Sequence, residues 1–290
     1  MQEILRNNPE DKHQARAWAF GLGLTAYISI VMMLGSGGSD VDTDLILKMN
    51  PIKLLAAQGV VATFMFIGVS ALFIAIALKI PFAEFFPKVT LRTAGLTILI
   101  SISFMVVNSA IGEWNMNLDF GNSDFAEWAK QSEEQLKVLT EHLTDFTSPT
   151  HFTLALVVVA IIPAIGEELL FRGLIQNFFA KAFANHHIAI WVTGFIFAAI
   201  HMQFFGVMPR MFLGVLFGYL YHWSGNLSVA MIGHLANNGL ALIALYLAQK
   251  DVVEVSPEQM EQAAPWPAVL IFAVVSFLLI RVFYKKFQHA

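Results

Sequence analysis

Cysteine is absent from the 290 residues. Disulfides, thiolate metal sites and a cysteine nucleophile are thereby excluded. Charge is scarce as well. Asp, Glu, Lys and Arg make up 13% of the chain, about half the share usual in soluble domains. The balance is −4, which gives nucleic acid no basic surface to bind. No internal repeat or long polar linker interrupts the chain, so residues 1–290 read as one domain. No cleavable leader is evident either: the first sixteen residues are polar, and the apolar run after them is too long for a signal h-region and lacks an A-x-A-like site.

What the chain has in quantity is hydrocarbon. Hydrophobic residues make up 57%, including 26 Phe, and this composition points to the integral-membrane class. Apolar runs of spanning length fall near 17–34, 53–78, 93–112, 152–170, 188–204, 207–222, 227–248 and 265–284. The expected fold is all-α, a multi-pass bundle of about eight transmembrane helices. With both termini in the cytoplasm, the inner segments hold eleven Lys and Arg against six outside, and the outer loops hold 15 of the 21 acids. In a bacterium this would be the plasma (inner) membrane. One long loop, 113–150, carries Phe125, Trp128, Leu136, Leu139, Leu143 and Phe146 near helical spacing, with Ser123 or Asp124 able to cap its start. It predicts an amphipathic helix on the outer surface.

Few polar groups lie within the apolar runs, and they are costly there. Glu167, Glu168 and Arg172 stand in AIGEELLFRG; His201 stands in FIFAAIHMQ; His234, Asn237 and Asn238 stand in MIGHLANNG. Each has an ordinary structural explanation. Glu168 and Arg172, four apart, can pair on one helical face; a lone histidine can bond a carbonyl; a lone asparagine can join helices. Such pairing leaves Glu167 without a partner in its own helix. Together, two histidines, an asparagine and a spare carboxylate make an acid/base and oxyanion set.

Depth sets a condition on that set. If the helix bearing Glu167 ended at residue 170, Glu167 would lie near the inner surface. His201 would then be about 20 Å away from the inner end of its span, at ~1.5 Å per residue. Residues 173–184, GLIQNFFAKAFA, remain largely apolar. The helix is therefore expected to continue toward Lys181, bent at Pro163 or Gly166, which carries Glu167 to mid-depth. The motif-bearing core is then about 151–248.

These residues resemble the CPBP family, which includes the CAAX prenyl endoproteases and the Abi-type proteins, some linked with bacteriocin self-immunity. The family pattern EExxxR, FxxxH, HxxxN stands here as Glu167-Glu168-Leu-Leu-Phe-Arg172, Phe197-Ala-Ala-Ile-His201 and His234-Leu-Ala-Asn-Asn238. The resemblance covers about 165–240. It implies an α-helical intramembrane protease core with Glu167, Glu168, His201, His234 and Asn238 as catalytic residues, supported by Arg172 and Phe197. Other intramembrane protease signatures are missing: there is no HExxH, no GxSG, and GSGGSD at 35–40 is not GxGD.

Two mechanisms are open to these residues. In one, Glu167 activates a water shared with His201, and His234 with Asn238 stabilises the oxyanion. In the other, Glu167, His201 and His234 hold a divalent metal such as zinc. The substrate would be a membrane-associated protein or lipidated peptide with a CAAX-like tail. A non-catalytic binding or immunity protein of the same fold and a proton-coupled transporter are the alternatives. Gly214 and Gly218 form a GxxxG whose expected role is packing within the monomer.

Overall fold

The computed structural model describes residue 23 and residues 43–75, 86–254 and 262–288. The apolar run at 17–34 lies outside the described residues apart from Gly23, and so does GSGGSD. The described residues are helical and contain no strand. After a short α1 (Thr43–Leu47) come α2 (Pro51–Phe73), α3 (Leu91–Met116), α4 (Asp124–Thr144), α5 (Pro149–Phe183), α6 (His186–Ala199), α7 (Val207–Ser224, entered by a 3-10 turn at Phe204–Gly206), α8 (Leu227–Gln249) and α9 (Trp266–Gln288). Most starts are written in the sequence. Asn50, Thr90, Ser123, Ser148, Asn185 and Asn226 each accept a backbone N–H of the first turn, and Pro51 and Pro149 open two of the helices.

Six of these helices are long and apolar enough to cross a membrane, and α6 is a shorter apolar helix. The protein is an integral membrane helical bundle. Its outward side chains agree with that setting: Leu270, Ile271, Val274 and Phe277 of α9 are each at least 60% exposed. Polarity turns inward instead. On α3 the buried positions include Thr93, Thr97, Ser101, Ser103, Asn108 and Asn115, while Leu91 and Leu99 face out. Small polar residues let helices approach and bond in hydrocarbon. Accordingly α7, α8 and α9 all pack on α3, and Ser276 meets Ser103 at 2.9 Å.

The structure departs from the expected spans at two helices that matter for the site. The span expected at 152–170 is the 35-residue α5, running Pro149–Phe183. It continues through the motif as the depth argument required. Two π-helical stretches, Leu156–Ile161 and Leu169–Gln176, flank the expected bend at Pro163 and Gly166. Conversely, the span expected at 188–204 is shorter. Helix α6 ends at Ala199, and His201 lies in the turn beyond it, followed by Met202 at φ +53°. The GxxxG packs inside the chain. A Cβ at Gly214 would lie 3.1 Å from Gly194 Cα, and one at Gly218 would lie 2.9 Å from Ile190 Cγ2, so α6 and α7 meet at backbone distance.

The loop helix α4 also differs in detail. Leu143 and Phe146 are buried as the stripe predicts, but Phe125 and Trp128 are exposed at their outer edges. Their rings meet Phe204 at 5.1 and 5.2 Å, tying α4 to the entry of α7.

Candidate active site

The π-helical stretch Leu169–Gln176 places Arg172 wholly inside the protein. Its Nη1 donates to Glu168 Oε1 and its Nη2 to the carbonyl oxygen of Gly214, both at 2.8 Å. The guanidinium lies 5.0 Å from the ring centroid of Phe197 and 5.7 Å from that of Phe217. A buried cation is thus balanced by one carboxylate, one carbonyl dipole and two aromatic faces. A wide turn also leaves backbone carbonyls poorly served. The Asn177 side-chain amide reaches those of Arg172 and Gly173, at 3.0 and 2.9 Å, and Tyr221 Oη at 2.9 Å.

Glu168 has a second partner that sequence spacing did not reveal. His234 Nδ1 lies 2.8 Å from the same Oε1. A carboxylate accepts, so the ring carries its proton on Nδ1. Nε2 then takes a hydrogen bond from Asn238 Nδ2 at 3.2 Å. The same amide nitrogen donates to the Val159 carbonyl oxygen at 3.1 Å, and Asn238 Oδ1 accepts from Asn237. That carbonyl is available because the residue four places on is Pro163, which has no N–H to give it. The Phe217 ring stacks on His234 at 5.5 Å. The imidazole is therefore fixed on both edges and over one face.

Glu167 faces the other way. Its Oε2 is 4.0 Å from His234 Nε2, and its side chain is 13% exposed where that of Glu168 is fully buried. It forms no hydrogen bond with the described residues. His201 joins the group through Phe197. Its Nδ1 donates to the Phe197 carbonyl oxygen at 2.7 Å, closing the end of α6. With that proton committed, the neutral ring presents a lone pair at Nε2. The Phe197 ring stands 5.1 Å from His201, 6.1 Å from His234 and 5.2 Å from Phe171. The FxxxH spacing thus has a local cause: the histidine caps the carbonyl of the residue whose ring separates it from the second histidine.

The metal set read from the sequence does not fit this arrangement. Among the described residues no three His, Asp or Glu side chains are grouped to hold an ion. Both nitrogens of His234 are already engaged, one by Glu168 and one by Asn238.

Residues 149–240 match the family described as Type II CAAX prenyl endopeptidase Rce1-like. That match takes in the segment carrying the site and leaves the rest of the chain outside it. Over 83 residues the chain is also 33% identical to the uncharacterized protein YpbD of Bacillus subtilis (strain 168), a stretch covering 27% of this chain and 39% of that protein. No solved structure matches the chain. The matched segment includes Glu167, Glu168, Arg172, Phe197, His201, His234 and Asn238.

Several residues built into this site were not singled out from the sequence. Phe217 and Tyr221 look like ordinary core aromatics. Asn177 and Gln176 act on backbone carbonyls, Gln176 bonding that of Gly218 at 3.1 Å. Arg210, one of the six basic residues that the charge count places outside, stands in the first turn of α7 and is partly buried. Its signal was available: it lies inside an apolar run nine residues after His201.

Proposed function

We propose that this protein is an intramembrane endopeptidase that hydrolyses a peptide bond in a membrane-associated, CAAX-like substrate. One observation carries the reading: of two adjacent carboxylates, Glu168 is consumed in holding His234, while Glu167 is left partly exposed, 4.0 Å from that histidine and without a hydrogen bond among the described residues. A buried orienting acid beside an accessible one suits general-base chemistry. The description of the matched family supports the reaction class and the prenylated-tail substrate.

In this reading Glu167 takes a proton from a water shared with His201 Nε2. The resulting hydroxide adds to the scissile carbonyl. The oxyanion is met by the Asn238 amide, turned from its resting partners, on the side where His234 stands. Glu167 then returns the proton to the leaving nitrogen as the carbon–nitrogen bond breaks, which closes the proton balance. Glu168 and Arg172 hold His234 in place and do not touch substrate. No step runs through a metal. In this reading both termini are in the cytoplasm, and in a bacterium the membrane would be the plasma (inner) membrane.

The test is cleavage of a library of lipidated peptides by purified protein in detergent, with and without a chelator. Glu167→Ala is expected to lower turnover by about 10²–10⁴-fold while the melting temperature is kept. Full activity of Glu167→Ala on every substrate cleaved would end the protease reading. Reversible loss of native activity with chelator would return the metal scheme.

A further inference from the structure

A second arginine is partly buried beside the site, and the described residues supply it with no counter-ion at contact. Arg210 lies within electrostatic range of Glu167, His201 and Glu133. Yet among the described residues no carboxylate comes within ion-pair distance of it. Its Nη2 donates to Gln203 Oε1, and Nη1 is buried without any hydrogen-bond partner. By contrast Arg172 has a carboxylate at 2.8 Å. A buried cation without a paired anion is unfavourable, and the backbone that carries it is anchored on several sides. A Cβ at residue 206 would run into Arg210 Nη1, so glycine there leaves the guanidinium its present place. Asn115 of α3 accepts from the Met208 N–H at 2.7 Å and donates to the Phe204 carbonyl oxygen at 3.1 Å. Asn108 donates to the Pro209 carbonyl oxygen at 3.2 Å. Gln203 is tied in turn to Glu133 of α4 at 3.3 Å.

From this geometry we infer that Arg210 is a specificity-determining residue that receives the free C-terminal carboxylate of the substrate, close to the scissile bond. The inference rests on the endopeptidase reading and deepens it. Nη1, whose N–H groups are unbonded, suits a carboxylate, and the electrostatic influence between Arg210 and Glu167 puts that carboxylate in the neighbourhood of the bond attacked. The enzyme would then remove a short C-terminal piece and discriminate against internal sites. A lipid phosphate is the other anion a membrane offers, and it would have to enter beside Glu167 itself.

The experiment compares a fluorescent, prenylated peptide ending Cys-Val-Ile-Met as its free acid and as its C-terminal amide. The native full-length protein is expected to cleave the acid with a kcat/KM about 10- to 100-fold above the amide, the size of one charge-assisted contact. Arg210→Gln should bring that ratio to about one, chiefly through KM, and Arg210→Lys should keep an intermediate ratio. The same acid-over-amide preference should appear in equilibrium binding to Glu167→Gln protein, read by fluorescence anisotropy. If that preference is present and depends on Arg210 while no peptide is ever cleaved, the protease reading fails, and what survives is Arg210 as the contact for a C-terminal carboxylate, without its role in choosing a scissile bond. Equal handling of acid and amide by native protein overturns the inference. A ratio untouched by Arg210→Gln overturns it too. In that case, dependence on added phosphatidylglycerol that only the Arg210 variants lose would assign the anion to lipid phosphate.

Discussion

Glu167 and Glu168 are neighbours in the chain and opposites in circumstance. One helical step turns Glu168 toward Arg172 and His234 and leaves Glu167 partly open. The sequence made the Glu168–Arg172 pair legible through its spacing of four. It could not show that His234, 66 residues on, joins the same oxygen, because that contact depends on how α5 and α8 cross. The parts of Phe217 and Gly214 in the site were illegible for a related reason, although Gly214 stood out as a packing glycine: what they give is a ring face and a carbonyl, which any apolar segment contains. Pro163 is a case between the two. It was visible as a bend, yet its consequence is a free carbonyl at Val159 that holds Asn238. The pair itself yields a prediction. Arg172→Ala strands a buried carboxylate, a loss of about 3–5 kcal/mol, and expression in membranes should fall with it. Glu168→Gln combined with Arg172→Met should recover expression, since neither charge is then buried alone. It should not recover hydrolysis, because His234 has lost the carboxylate that orients it. Equal yields of the single and double variants, measured by fluorescence size-exclusion, would show that the pair is not a buried unit.

Among the elements, α5 was legible and α6 only in part. The apolar stretch after Gly173 carries no breaker, so its continuation to Phe183 followed from composition. Hydropathy says nothing about hydrogen-bond register, and the π-helical turns were therefore invisible. It also could not end α6 at Ala199, since the residues after His201 remain apolar; the histidine's own bond to the Phe197 carbonyl does that. His151, in the first turn of α5, is fully buried, with Nε2 3.0 Å from the Leu143 carbonyl oxygen, joining α4 to α5. Helix α4 gives a pH prediction. Burial pushes the Glu133 carboxyl above the usual range, against the opposing pull of Arg210. A raised folded value means that ionisation works against the fold: the penalty is absent below the unfolded pKa, about 4.3, and is complete above the folded one. Glu133→Gln, which can keep the Gln203 contact, should therefore melt higher than native protein at about pH 7.5, and the advantage should vanish near pH 4. A melting difference that does not change across that range would mean the carboxyl is not held above its ordinary value.

For the whole molecule, the architecture was the most legible property, because composition and run length alone dictate a helical bundle in a bilayer. The number of spans was less so: six long apolar helices and a shorter one are described, and the run at 17–34 lies outside the described residues. Orientation yields a prediction that the missing cysteines make simple to test, since no native thiol gives background. Lys130→Cys on α4 should react with a membrane-impermeant maleimide on intact cells, and Lys181→Cys at the end of α5 only after the cells are opened. The reverse pattern would invert the topology. Helix α5 carries one more consequence. Its 35 residues amount to about 50 Å of helix at ~1.5 Å per residue, against a hydrocarbon layer of about 30 Å. An upright, fully embedded α5 cannot be matched by such a layer, so inclination, protrusion or local thickening must absorb the excess. The two glutamates sit near the middle of this overlong rod, where any change of inclination sweeps them relative to helices of ordinary length. Acyl-chain length then becomes a control on the reacting geometry. Turnover in vesicles of defined lipids should peak at one chain length and fall on either side, with the melting temperature changing far less. A flat profile from short to long chains would mean that α5 rides in the bilayer independently of its thickness.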